Sequence, residues 1–452
     1  MQNTKLKSVN TLLALLLIAA MFLSSCSQKP QSAPDSGPIP TQTAEITPEQ
    51  TPYIPLTEKY SGLINEYTLK LPGYSTVSHD ELVLSKQKGT ARYTLDEESN
   101  TYIIEGTEPT GHAVLMFTGD LMCQGRQQTA ALEKYGEYRF RESFRIVQDV
   151  FAQADFVAGN LESSLSESAP YMSEEKAVDD KPHCNAPYTY LDALRYAGFD
   201  ALVTANNHCC DTGIQGILET HDHLNEYDFM HTGTFTPDDS RYILVEVNGI
   251  KLALMAYATY FNGKDVYITD EGKDIMLNRY SKERVEADVK AAKEDGAQFI
   301  IAYNHWGKEY TNEENEKQRQ AAQDMANAGV DYIIGSHPHA LQRYDIIEAS
   351  DGRSVPCVYS MGNFVSHMTK TVAKDTIILR IELDLAPDGT VTVTDEGYIP
   401  CRVFESNYGS NYIVTPLSSE YNGGRTSKYF ESALRRITSV MGDKIKCLGT
   451  YD

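Results

Sequence analysis

The chain has 452 residues, 41% of them apolar, with 63 acidic against 40 basic side chains and a formal charge of −23. That apolar content supports a sizeable core and excludes a disordered or fibrous chain; the length fits one large domain or two to three ordinary ones. The basic residues are scattered singly, which argues against nucleic acid or an anionic membrane surface as the main partner.

Lys5 and Lys7 precede an apolar run from Leu12 to Leu23, followed by Ser24, Ser25 and Cys26. The run is too short to span a bilayer as a helix and reads as a secretion signal over residues 1–25. Leu23-Ser24-Ser25-Cys26 resembles a bacterial lipobox, which implies cleavage before Cys26, a lipid on its thiol and an extracytoplasmic place at the bacterial cell membrane. An ordinary signal peptide with a coincidental cysteine is the other reading. Seven further cysteines, an odd number at irregular spacing, do not read as a disulfide framework. Residues 26–56 are rich in Pro, Thr and Ser and read as an extended linker. Residues 57–110 alternate over Tyr67–Leu71 and Tyr102–Glu105, which predicts a small β-rich N-terminal element.

From Ala113 the pattern becomes regular. Apolar runs at Val114–Phe117, Phe156–Ala158, Ala201–Ala205, Phe299–Tyr303, Val330–Ile334 and Pro356–Ser360 read as buried strands. Helical spacing lies between them, over Gln127–Phe151, Tyr188–Ala197, Ile214–Tyr227, Ser281–Asp295 and Asn315–Ala328. Tyr242–Val247 and Lys251–Thr259 form a predicted hairpin turned at Asn248-Gly249. This alternation predicts a layered α/β domain over residues 111–370. Residues 371–452 read as a β/α extension, with strands over Thr376–Leu385 and Thr390–Glu396 and a helix near Lys428–Met441.

Each of the six strands ends in a polar cluster, and ligands of open α/β sheets bind at that edge. One site built from Asp120, Glu162, Asn207, His208, His305, His337 and His339 is therefore predicted. Carboxylate, amide and imidazole together suit a divalent metal, Mn, Fe or Zn, as one or two ions. His208, next to the candidate ligand Asn207, is placed to act as a proton donor. Arg126, Glu309 and Asn363 flank these clusters and read as substrate contacts or outer supports of the ligands, though a solvated charge at Arg126 or Glu309 fits the sequence too. Trp306 reads as a packing residue.

The ordered motifs Gly119-Asp120-Leu121-Met122, Gly159-Asn160-Leu161-Glu162, Ala205-Asn206-Asn207-His208 with Asp211-x-Gly213, His305-Trp306-Gly307-x-Glu309-Tyr310, Gly335-x-His337-Pro338-His339 and Tyr359-Ser360-Met361-Gly362-Asn363-Phe364 carry a family likeness. They resemble the bacterial CapA-type proteins of poly-γ-glutamate capsule synthesis, within the calcineurin-like metallophosphatase superfamily. The resemblance implies a four-layer α/β/β/α sandwich and a cell-surface role in making, exporting or processing an anionic polymer, with capsule synthesis or export proteins as partners. Hydrolysis of a phosphoester or amide bond, a non-catalytic metal-bearing scaffold, and a general surface phosphodiesterase all fit it. By the superfamily pattern Asp120 and His339 would hold one metal, Asn207, His305 and His337 the other, Glu162 would bridge, and His208 would donate the proton. Met122 stands where the pattern has a histidine, and Glu162 where it has an aspartate.

Overall fold

The computed structural model describes residues 53–69, 91–104, 111–174, 183–405 and 412–451. The signal segment, Cys26 and nearly all of the linker lie outside the described residues. Among the described residues no helix is long and apolar enough to cross a membrane.

Two sheets carry the fold. In the nine-stranded sheet, the long strand His112–Leu121 lies beside Phe156–Leu161, Ala201–Val203 and Met230–Thr232, all in parallel register. On its other side, Asp375–Leu385, Val391–Glu405 and Tyr412–Pro416 continue the sheet antiparallel. The eight-stranded sheet has a parallel centre made of Ile250–Ala258, Phe299–His305, Tyr332–Ser336 and Ser354–Met361. Its parallel strands are apolar almost throughout, as sheets covered on both faces require.

The two sheets face each other across a core that includes Leu115, Phe117, Ile301, Tyr303, Ile334 and Leu379. The outer face of the nine-stranded sheet buries Met116, Val157 and Leu202 against Leu191 and Leu194 of the helix Tyr190–Ala197. The outer face of the other buries Ile300, Ala302 and Ile333 against Val285 and Val289 of Lys282–Glu294 and Ala322 and Met325 of Glu316–Ala328. This is the expected α/β/β/α sandwich. Polar contacts cross between the layers as well: the buried Tyr303 hydroxyl reaches the carbonyls of Thr118 (3.1 Å) and Ala158 (3.2 Å), and the Tyr332 hydroxyl donates to Glu396 (2.7 Å).

Several expectations are met closely. The hairpin turns at Asn248 (φ 51°) and Gly249 (φ 83°), and Asn315 caps Glu316–Ala328 in a reciprocal bond with Gln318. The C-terminal strands join the nine-stranded sheet, and Phe430–Met441 is helical, burying Ala433, Ile437 and Met441.

Others need correction. The helical spacing over Gln127–Phe151 is not one helix: Gly125–Tyr135 ends at Gly136, whose φ of 68° closes the last turn, and only short turns follow at Arg141–Ser143 and Gln148–Phe151. Tyr67 does not open a strand but ends the helix Ser61–Tyr67, after Leu56–Lys59. Leu56, Tyr60, Ile64 and Tyr67 recur at helical intervals and pack on the central core, so a 3.6-residue period outweighs the short alternation. Thr101–Ile104 is a strand, as expected near there, and pairs parallel with Tyr242–Val247. The strands of the site also run further than the apolar runs suggest, through Asp120 and His305 themselves. Their hydrogen bonding continues: Asp120 N–H donates to Gly362 O at 3.0 Å, and Asp120 pairs with Asn363 in the short strand Asn363–Val365.

Candidate metal centre

The register of the strands brings the polar residues together. Asp120 pairs with Asn160, and His305 with Ser336, so the strand ends of each sheet lie level at one edge. Glu162 follows its strand directly, and Asn207 and His208 sit in the turn between Ala201–Val203 and the helix Gly213–Glu226. His337 and His339 follow Tyr332–Ser336 in a turn where both hold positive φ, 94° and 53°. Such backbone is unfavourable for non-glycine residues and persists where the surroundings enforce it. Gly335 makes the turn reachable, since a Cβ there would lie 1.9 Å from the Tyr359 carbonyl.

Asp120, Glu162, Asn207 and His208 come from the nine-stranded sheet and its connections; His305, His337 and His339 come from the eight-stranded sheet. All seven are buried. Two groups of potential ligand atoms share one carboxylate: Glu162 with His305 and His337, and Glu162 with Asp120 and His339.

His305 Nε2 lies 2.9 Å from Asn207 Oδ1, 3.1 Å from His337 Nδ1 and 3.5 Å from Glu162 Oε1. A single N–H could serve only one of these neighbours; a cation serves all of them. On the other side, His339 Nδ1 lies 2.8 Å from Asn363 Oδ1, whose amide nitrogen donates to Ser366 Oγ at 2.9 Å. Asn363 thus presents an acceptor, which places the proton on Nδ1 and leaves Nε2, 3.7 Å from Glu162 Oε1, with its lone pair. Both Glu162 oxygens are buried and take no hydrogen bond. A buried carboxylate left in that state is costly, and a divalent ion would remove the cost. The donor set therefore fits a metal.

The electrostatics agree. Burial, with Asp120 and Glu309 nearby, pushes the Glu162 carboxyl well above its ordinary pKa. Burial and the neighbouring imidazoles push His305 and His337 well below theirs, so both rings are neutral, as ligands must be.

Outer contacts hold these groups in place. Asn160 donates to Asp120 Oδ1 (2.9 Å), Asn206 donates to Leu161 O (2.8 Å), and the His208 amide donates to Asn206 Oδ1 (3.1 Å). His208 Nδ1 is 2.7 Å from Asp211 Oδ2, which also accepts from the Cys184 amide. Asn160, Asn206 and Asp211 stand in the sequence motifs but carry no assigned role there. Tyr260 stands in none of them; its hydroxyl is 2.6 Å from His337 Nε2. The signal for it was a seventh strand end, since Tyr260 lies just past Ile250–Ala258 in the sheet that supplies the histidines.

Asn363 stands beside His339, and Glu309 lies at the open side of the cluster near His337 and His339. Arg126 is exposed on the first turn of Gly125–Tyr135, near the Tyr412 hydroxyl and His367. Trp306 is buried and donates to the Tyr359 carbonyl at 2.9 Å, a packing role.

A family model described as bacterial capsule synthesis protein PGA_cap matches residues 114–368, more than half of the chain. The chain belongs to that family. The PGA biosynthesis protein CapA of Bacillus subtilis is 30% identical over 323 residues, 68% of this chain and 78% of that protein. The capsule biosynthesis protein CapA of Bacillus anthracis is 29% identical over 280 residues, and the match spans 63% of its length. Among solved structures, the Bacillus subtilis calcineurin-like phosphoesterase YfkN aligns over 73% of this chain and 97% of its own, with a TM-score of 0.39 at 16% identity. The Haemophilus influenzae NAD nucleotidase NadN aligns over 75% of this chain and 65% of its own, with a TM-score of 0.40 at 14% identity.

Proposed function

We propose that this chain is a lipid-anchored, extracytoplasmic, metal-dependent hydrolase that acts on the phosphoester or amide bonds of an anionic capsule polymer or its precursors, beside capsule synthesis or export proteins. The observation that carries the reading is the convergence of Glu162, Asn207, His305 and His337 on one point, with His208 and Asp211 alongside. Asn207, His305, His337 and the shared Glu162, with Asp120 and His339 beyond it, would hold one or two divalent ions, whose chemistry is Lewis-acid polarisation of the scissile group and activation of water.

The chain's own groups supply the rest. Asp211 accepts from His208 Nδ1–H, which fixes the ring's orientation and leaves Nε2 as the atom through which a proton would pass to or from a leaving group. Tyr260 and Ser336 hold the outer nitrogens of His337 and His305, so each ring keeps its other nitrogen toward the centre. Burial of the donors excludes bulk water and strengthens each of these interactions.

Met122, in the place of an imidazole, favours a second reading, a metal-bearing scaffold without turnover. Metal analysis combined with an activity screen against phosphodiesters and γ-glutamyl chains separates the two, comparing the parent protein with His208→Ala and His337→Ala. The hydrolase reading expects stoichiometric metal in the parent, less in His337→Ala, and full metal without turnover in His208→Ala. Metal with no turnover on any substrate supports the scaffold, and no metal at all overturns both.

A further inference from the structure

We propose that Glu309 is itself a metal ligand, closing the centre from the solvent side and supplying the donor that Met122 withholds. This inference rests on the metal-centre reading and extends it to a residue with no counterpart in the ligand pattern drawn from the superfamily.

The ligand atoms of Glu309, His337 and His339 all lie within 4.8 Å of one another. This third group takes one imidazole from each of the two buried groups: His337 is shared with Glu162 and His305, and His339 with Asp120 and Glu162. Glu309 is exposed whereas every other member is buried, so it stands over the open face. Its position is built rather than incidental. Tyr310 N–H donates to Pro338 O at 2.7 Å and Asn312 Nδ2 donates to Leu341 O at 2.7 Å, which ties the Glu309 loop to the His-Pro-His turn and to the strand that follows it. Tyr310 holds a φ of 61°, so strained backbone is spent on both loops where they meet.

The chemistry supports the same assignment. Asp120, Glu162 and His339 give three donors, fewer than a divalent ion takes. The thioether of Met122 is a poor donor for a hard or borderline metal. Glu309, in ligand range of His339 and His337, is the carboxylate at hand to add a donor there. It also brings a third negative charge, beside Asp120 and Glu162, to a site that would otherwise hold two dications against two carboxylates.

The test is the metal content of the full-length protein after chelation and reloading with Mn or Zn, with affinity read by competition against a chromogenic chelator. Glu309→Gln is isosteric and exposed, so folding, followed by circular dichroism, is expected to be unchanged. It should lose one ion per chain, or bind the weaker ion more than about tenfold less tightly, the low end of what losing even an outer partner of a metal ligand costs. Adding Met122→His to Glu309→Gln should restore the lost ion. Parent-like stoichiometry and affinity in Glu309→Gln would overturn the assignment while leaving the metal centre intact. Failure of Met122→His to restore binding removes the link to that position. Absence of metal from the parent protein would overturn this inference together with the reading it rests on.

Discussion

His208 and Asp211, one turn apart, are joined by a 2.7 Å contact between Nδ1 and a carboxylate oxygen that is itself fully buried. A carboxylate so placed is a positioning group. Asp211→Ala removes the acceptor that holds the Nδ1–H tautomer, so turnover is expected to fall by about 10²-fold or more, as for loss of a general acid. His208→Ala should fall equally, and the double variant little further, because the two act as one unit. Metal content should be unchanged in all three; steady-state kinetics with metal analysis reads both. Additive losses would show the pair to be independent.

The Tyr260 hydroxyl, at 2.6 Å from His337 Nε2, gives a second expectation. Burial and nearby Glu309 raise its pKa, so it stays a neutral phenol. Tyr260→Phe keeps the ring and removes the hydroxyl that orients His337. Metal affinity should weaken by about 10- to 100-fold, measured by chelator competition. An unchanged affinity would mean that the strained turn alone sets the ring.

Away from the centre, burial raises the Asp288 carboxyl to about 6, against the hydrogen bond from Tyr257 Oη at 3.0 Å. The folded state therefore binds this proton more tightly than the unfolded chain does. The penalty is absent below the unfolded pKa near 4, grows as pH rises through 6, and is complete above it. Asp288→Asn should stabilise the protein at pH 8 by up to about 3 kcal/mol and change little at pH 4. Urea denaturation at the two pH values checks this; equal shifts at both would point to packing instead.

The anchoring proposal has its own test. Cys26→Ser removes the thiol that would carry lipid and should move the protein from the membrane fraction to the soluble extracytoplasmic fraction. Membrane retention in that variant would refute lipid anchoring through Cys26.

Much of this centre was legible because its residues sit at the ends of apolar runs in fixed order, and parallel strands deliver their ends to one edge. Asp120, Glu162, Asn207, His305, His337 and His339 could be grouped on that rule alone. Tyr260 stands past a strand end too, but an aromatic there looks like core, so the rule passes it over. Arg126 shows the opposite limit: adjacency to a motif does not say which groups a side chain meets, and this one lies by Tyr412. The break after Tyr135 escaped periodicity because apolar residues continue at plausible helical intervals beyond Gly136, and only that glycine's positive φ ends the helix.

The two layers contribute different chemistry to the centre. One supplies oxygen donors, from Asp120, Glu162 and Asn207, and the other the imidazoles of His305, His337 and His339, with Glu309 beside them. Oxygen donors suit a hard cation and imidazoles a borderline one, so the mixed set exists only where the two sheets meet. The mixed donor set thus belongs to the seam, which the Tyr303 hydroxyl helps to hold.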